Sequence, residues 1–180
     1  MEIDFMVNHN QELVNNLQLT IVDEYHKAIQ WYNTWCRQVA DRENKRKNKL
    51  ISKGEKTRFE LKIILSEKSF TIHWYEVLFV QHGNKKKRIV THVKPSLNNN
   101  SKTYYSINKF QTACEWEFDL ILHLETALNP IRKRVKHLAG IYRTLSHYSS
   151  SLMTPLEYKN INNLIDHSMK KSILYYKNKM

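Results

Sequence analysis

The sequence predicts an α+β domain, a three-stranded antiparallel β-meander packed by about four α-helices. Three observations predict it. Residues 57–95 are the one stretch with sustained β patterning. Elsewhere apolar residues recur every three or four positions, the helical period. Three glycines and three prolines in 180 residues suit long helices with few tight loops. A chain of this length defaults to a single domain, here 1–180, with room for a real core.

Residues 1–50 read as an N-terminal helix that begins near Asn8 or Asn10 and ends near Lys47. Its stripe is Leu13, Leu17, Ile21, Tyr25, Ala28, Tyr32, Trp35 and Val39. Beyond Ala40 the stripe gives way to the charged run 41–47, either a solvated helix end or a basic arm. Residues 57–95 form the meander. In the first strand Phe59, Leu61, Ile63 and Leu65 alternate with Arg58, Glu60 and Lys62. After a polar break at 66–69, Phe70 to Gln81 is apolar on both sides, which suits a central strand covered on much of both faces. Gln81 to Asn84 supplies a turn, with Gly83 and Asn84 suited to positive φ. A third strand, Lys87 to Lys94, stops at Pro95, which lacks the N–H that a ladder needs.

The stretch 96–102 is a polar loop. Tyr104 and Tyr105 either make a short fourth strand or pack over the sheet. Residues 107–148 read as a helical pair. The first member starts near Asn108, with Gln111 three residues on, and runs from Phe110 to Leu128, apolar around much of its girth. Asn129-Pro130 either opens a new helix or kinks a continuous one. The second member carries Ile131, Val135, Leu138, Tyr142 and Leu145. Thr154-Pro155-Leu156-Glu157 opens a C-terminal helix over 154–178, expected to pair with its predecessor as an antiparallel hairpin.

The net charge is +12, which favours an anionic partner, usually nucleic acid. The charge is uneven. Residues 1–36 hold Glu2, Asp4, Glu12, Asp23 and Glu24 against Lys27 alone, so this acidic arm is expected to lie against the basic remainder or a basic partner. Cys36 and Cys114 are far apart and read as free thiols of a reducing compartment. The first residues lack the pattern of a signal peptide, and no apolar run reaches membrane-span length. A cytoplasmic protein with no membrane partner is expected.

Three basic stretches are candidate nucleic-acid contacts. Lys85, Lys86, Lys87, Arg88, His92 and Lys94 occupy the second hairpin and its edge strand, with Lys102 nearby. Cations on a protruding hairpin reach phosphates, and a two-stranded ribbon fits the major groove. The competing reading is a charged edge that discourages strand pairing. Arg132, Lys133, Arg134 and Lys136 form the second stretch, distributed around an exposed helical arc. The run 42–49 is the third, with a solvated helix end as its alternative. Tyr75 and Tyr104 are candidate base-stacking residues, though strand aromatics commonly serve the core.

Catalytic patterns are lacking. Nine histidines show neither HxH nor HExxH spacing, and no zinc-ligand set or Gly-rich phosphate loop occurs. Neither a metal nor an organic cofactor is expected. Glu60-Leu61-Lys62 matches half of a nuclease core, in which a carboxylate holds Mg²⁺ and a lysine polarises water. No acid upstream completes it convincingly, and alternating charge on a strand's polar face is the better explanation.

One set of ordered motifs resembles a known family. Ile72-His73-Trp74-Tyr75, the basic turn, Thr91-His92-Val93-Lys94, the run 103–110 (TYYSINKF), Glu115-Trp116-Glu117, Glu125 and Ile131-Arg132 are similar to MobI proteins. The resemblance spans roughly 57–148. Where the family pattern has a Lys-Gly-rich turn, this chain has Pro95 to Asn100. The resemblance implies an accessory factor of conjugative transfer, encoded on integrative conjugative elements and large plasmids, that acts with a separate relaxase and the coupling machinery.

The combined expectation is a non-enzymatic auxiliary factor that binds double-stranded DNA at an origin of transfer and assists a relaxase. Two alternatives are carried: an adaptor that docks onto the relaxase or coupling protein without binding DNA, and a Mg²⁺-dependent nuclease using Glu60 and Lys62.

Overall fold

A computed structural model describes residues 2–66, 68–83, 85–98 and 101–148. The expected C-terminal helix over 154–178 lies outside these residues. The described elements are α1 (Glu2–Lys47), β1 (Phe59–Ser66), β2 (Ser69–His82), β3 (Lys85–His92), β4 (Ser96–Asn98), β5 (Ser101–Tyr104), a 3₁₀ turn (Ile107–Phe110) and α2 (Glu115–Tyr148). The α+β class and the antiparallel meander β1-β2-β3 are as expected.

The helix count differs. Among the described residues two long helices are present where three of the expected four would fall. The expected pair over 107–148 is one continuous helix, α2, with Pro130 inside it. Proline forfeits one backbone bond there, but the buried stripe of Ile121, Leu124, Leu128, Ile131, Val135 and Tyr142 runs through it without a change of phase. Packing along that whole stripe outweighs the single lost bond. The expected start near Asn108 is only the 3₁₀ turn, which buries Phe110.

In α1 the stripe holds from Ile21 onward, but near its beginning Val14 is buried and Leu13 faces outward. The charged run 41–47 is helix, not a free arm. It ends in a Schellman motif: Leu50 N–H bonds the Lys45 carbonyl, Lys49 N–H bonds the Arg46 carbonyl, and Lys49 takes φ +59°. Glu43 then accepts from both the backbone N–H and the hydroxyl of Thr57, fixing the entry to β1.

The two helices run antiparallel. Gln18 reaches Tyr142, Glu24 pairs with Arg134, Trp31 meets His123 and Arg42 lies over Trp116. The acidic arm thus does meet the basic remainder, at Glu24 and Arg134, 2.9 Å apart. Burial alone would raise the Glu24 carboxyl, but Arg134 and Lys27 hold it below the usual range.

Both helices contribute to a core that includes the even-numbered residues Phe70, Ile72 and Trp74 of β2 and the odd-numbered residues Phe59, Leu61 and Ile63 of β1. Edge-to-face pairs lock the layers: Trp35 on Trp74, Tyr25 on Phe70, Phe59 on Phe110. The opposite face of the sheet is more open, although Val77 on that side is buried. The expectation that β2 is covered on much of both faces therefore fails: His73 and Tyr75 are only half-buried. Tyr104 ends β5, which pairs with β4 in a separate two-stranded sheet, while Tyr105 packs into the core.

Candidate nucleic-acid interface

Strand lengths create the interface. β1 and β3 have 8 residues each and β2 has 14. β1 begins at Phe59 opposite Glu76, so beyond Val77 only β2 and β3 remain paired. The pairs Leu78–Ile89, Phe79–Arg88, Val80–Lys87, Gln81–Lys86 and His82–Lys85 form a free-standing two-stranded ribbon. Five pairs extend roughly 17 Å at the usual strand rise. Gly83, at φ +59°, turns the tip, a conformation that side chains other than glycine take only with strain.

The ribbon carries cations beside exposed apolar groups. Lys85, Lys86, Lys87 and Arg88 are all exposed. Leu78, Phe79, Val80 and Ile89 are 39%, 47%, 45% and 39% exposed. Leu78, Val80 and Ile89 share one face of the ribbon and Phe79 lies on the other, so both faces expose apolar surface. Lys56 lies 3.3 Å from the centre of the Phe79 ring, and burial together with Arg46 and Lys86 holds its amine below the ordinary lysine range. Sequence reasoning missed Lys56 and the apolar set. An apolar run on both sides of a strand normally signals burial. Only the shortness of β1 relative to the second hairpin hints that the run outgrows the sheet.

At the ribbon's base the open sheet face carries a polar cluster. Arg88 and Lys62 both pair with Glu60, and Lys62 lies 4.6 Å from the Tyr75 ring centre. His92 Nε2 is 3.0 Å from His73 Nδ1, which is also 3.3 Å from the Tyr105 hydroxyl. Burial, His92 and Arg132 lower the His73 pKa, so its neutral form is favoured. Tyr75 lies against His92 with ring centres 5.3 Å apart. His92 and Tyr75 thus share one surface, and Lys94 is exposed just past β3. Lys102 lies on β5, in a different sheet.

The helical set is divided. Lys133 and Lys136 are exposed on α2. Arg134 is half-exposed and paired with Glu24. Arg132 is a correction: it is buried, and its guanidinium makes a two-pronged bond to Glu125 at 2.8 and 2.6 Å. It also donates to the Ile72 carbonyl at 3.1 Å and lies 4.7 Å from the Tyr105 ring centre. A side chain so committed does not reach a phosphate. Nor does α2 join the ribbon in one site. Arg132 anchors beside Ile72, whereas the ribbon begins at Leu78 and ends at His82, roughly 20–33 Å farther along β2.

Among the described residues, no group of three or more His, Cys, Asp and Glu side chains is placed to hold a metal ion. Glu60 is engaged by two cations and not gathered with a second carboxylate. Also among them, no helix is long and apolar enough to cross a membrane.

The family profile described as MobI protein matches residues 24–146, more than half of the chain. The chain belongs to the MobI family. Searches of curated proteins and of solved structures each gave no significant match. MobI membership places it with mobilisation accessory proteins. Several residues that carry the MobI resemblance converge inside the fold. The Trp74 indole donates to Glu125 at 2.7 Å, and Glu125 holds Arg132, which stacks on Tyr105. Glu117 is fully buried and accepts from the backbone N–H groups of Arg58 and Phe59. Burial pushes its carboxyl up to about 7, against those donors, which hold it down. These MobI residues tie α2 to β1 and β2.

Proposed function

We propose that this MobI protein is a cytoplasmic, non-enzymatic factor that binds duplex DNA at an origin of transfer and assists a separate relaxase. The observation that carries this reading is the free-standing ribbon. It is narrow enough for the major groove, about 12 Å wide, and presents Lys85, Lys86 and Lys87 along one strand. Those lysines contact phosphates, and the exposed Leu78, Phe79, Val80 and Ile89 lie against groove walls or base edges. His92 and Lys94 extend the contact toward the sheet. Lys133 and Lys136 form a second, separate surface for backbone phosphates. Lys102 and Arg134 are peripheral to both, and Arg132 plays no part.

The adaptor reading uses the same protein differently: the N-terminal helix and the expected C-terminal helix would dock onto a relaxase or coupling protein, with the positive charge incidental. Conjugative transfer separates the two. In a donor lacking this gene, wild-type protein restores transfer, and the Lys85→Ala/Lys86→Ala/Lys87→Ala variant is expected to fail while still co-purifying with the relaxase. Full restoration by that variant would remove DNA contact from the ribbon and leave the adaptor reading.

A further inference from the structure

The two faces of the ribbon differ in what already engages them. Side chains alternate along a strand, so Leu78, Val80 and His82 of β2 share one face with Ile89, Lys87 and Lys85 of β3. Phe79 and Gln81 share the other with Arg88 and Lys86. On the Phe79 face, this chain itself answers groups that could read a base. Lys56 sits on the Phe79 ring, Glu60 pairs with Arg88, and the Gln81 amide donates to the Gly83 carbonyl at 2.6 Å.

The Leu78 face is aliphatic with a cationic end. Leu78 stands directly opposite Ile89, and Val80 follows two residues along, so three aliphatic side chains lie side by side, all exposed. Lys87, opposite Val80, and Lys85, opposite His82, continue the face toward the tip and are exposed as well. Aliphatic groups neither donate nor accept hydrogen bonds. Pressed against a polar base edge, they would cut that edge off from water without replacing its bonds. In the major groove one base edge carries an apolar group, the C5 methyl of thymine.

We propose that Leu78, Val80 and Ile89 recognise thymine methyl groups in the major groove, so that the ribbon selects tracts of A·T pairs. The inference rests on the reading of the ribbon as a duplex-binding element and adds the class of base it selects. Lys85 and Lys87 reach past the base edges to flanking phosphates, which fix the ribbon in the groove without distinguishing bases. Leu78 and Val80 are about 6.8 Å apart along the strand, or two base steps of about 3.4 Å, so the face covers about three consecutive pairs.

Fluorescence anisotropy of the full chain with four self-complementary duplexes of equal length tests this: alternating dA-dT, alternating dA-dU, alternating dG-dC, and dG-dC with every cytosine methylated at C5. Uracil lacks only the thymine methyl, and 5-methylcytosine puts a methyl at the same place in a G·C pair. At roughly fourfold per buried methyl, dA-dT is expected to bind at least about tenfold more tightly than dA-dU, with an equal slope of log K against log salt because no phosphate contact changes. Methylation should raise the affinity of dG-dC several-fold. Leu78→Ser/Val80→Ser/Ile89→Ser should erase the preference for dA-dT over dA-dU, with thermal melting used to verify folding. Should that variant fail to fold, the isosteric Val80→Thr should narrow the preference and decides the matter. Phe79→Ser, on the other face, should keep the preference, and Lys85→Ala/Lys86→Ala/Lys87→Ala should keep it while flattening the slope. Equal binding of dA-dT and dA-dU with the expected salt slope, or a preference that survives the serine variant, would overturn the proposal and leave the duplex reading standing. Loss of relaxase co-purification in the serine variant, with the preference intact, would overturn it in favour of a protein partner on this face. No affinity for any duplex would remove both readings.

Discussion

Removing the three ribbon lysines has a consequence that can be worked from the structure. Lys85, Lys86 and Lys87 are exposed, and none makes an ion pair among the described residues. Each is available to displace one counterion from DNA. At roughly 0.9 log unit of salt slope per phosphate contact, Lys85→Ala/Lys86→Ala/Lys87→Ala should flatten the slope of log K against log salt by up to about 2.7. Between about 0.1 and 0.3 M salt, the variant's affinity deficit should therefore shrink by as much as ~20-fold. Arg88 differs. Glu60 holds it, so Arg88→Ala should change the slope by less than one full contact, and Glu60→Gln should strengthen duplex binding by releasing it. A nuclease using Glu60 would instead lose nicking on that change. Fluorescence anisotropy with a labelled duplex across a salt series reads all three variants. An unchanged slope in the triple variant would refute the assignment of the ribbon to DNA.

Further outcomes follow from the scaffold. The Glu117 carboxyl is raised to about 7 from an ordinary value of 4.5, so the folded chain keeps its proton longer than the unfolded chain. Its contribution is fully present below about pH 4.5 and lost as pH rises through about 7. Glu117→Gln, neutral throughout, should gain on the order of 3 kcal/mol relative to wild type between those limits, read from urea unfolding at several pH values; a constant difference would contradict this. Arg132→Met leaves the partly buried Glu125 without its counter-charge and should cost about 3 kcal/mol, with Glu125→Leu/Arg132→Met recovering most of the loss in the same assay. Lys49→Gly relieves the left-handed backbone at the end of α1 and should stabilise the fold by about 1 kcal/mol, visible as a higher melting temperature.

Much of the fold was legible because its signals are local. Alternation at Phe59, Leu61 and Ile63 gave β1, and Gly83 gave the turn. Pro130 misled because its backbone cost is local, whereas the compensation comes from α1 and the sheet, which sequence spacing does not reveal. The ribbon's cations were legible as a run, yet its exposed apolar residues were read as core. Their exposure depends on where β1 begins, which is a property of pairing. Arg132 looked like part of a basic stretch. Its partners Glu125 and Ile72 are 7 and 60 residues away, and only the packing of α2 on β2 brings them together.

The most direct test of the central claim is the ratio of affinities for specific and non-specific DNA. Duplex tiles covering the mobile element that carries this gene, and scrambled duplexes of equal length, would be compared by anisotropy at physiological salt. One tile, at the transfer origin, is expected to bind at least about a thousandfold more tightly than scrambled DNA. Equal, weak and steeply salt-dependent binding to every tile would contradict it and reduce the +12 charge to an unspecific attraction.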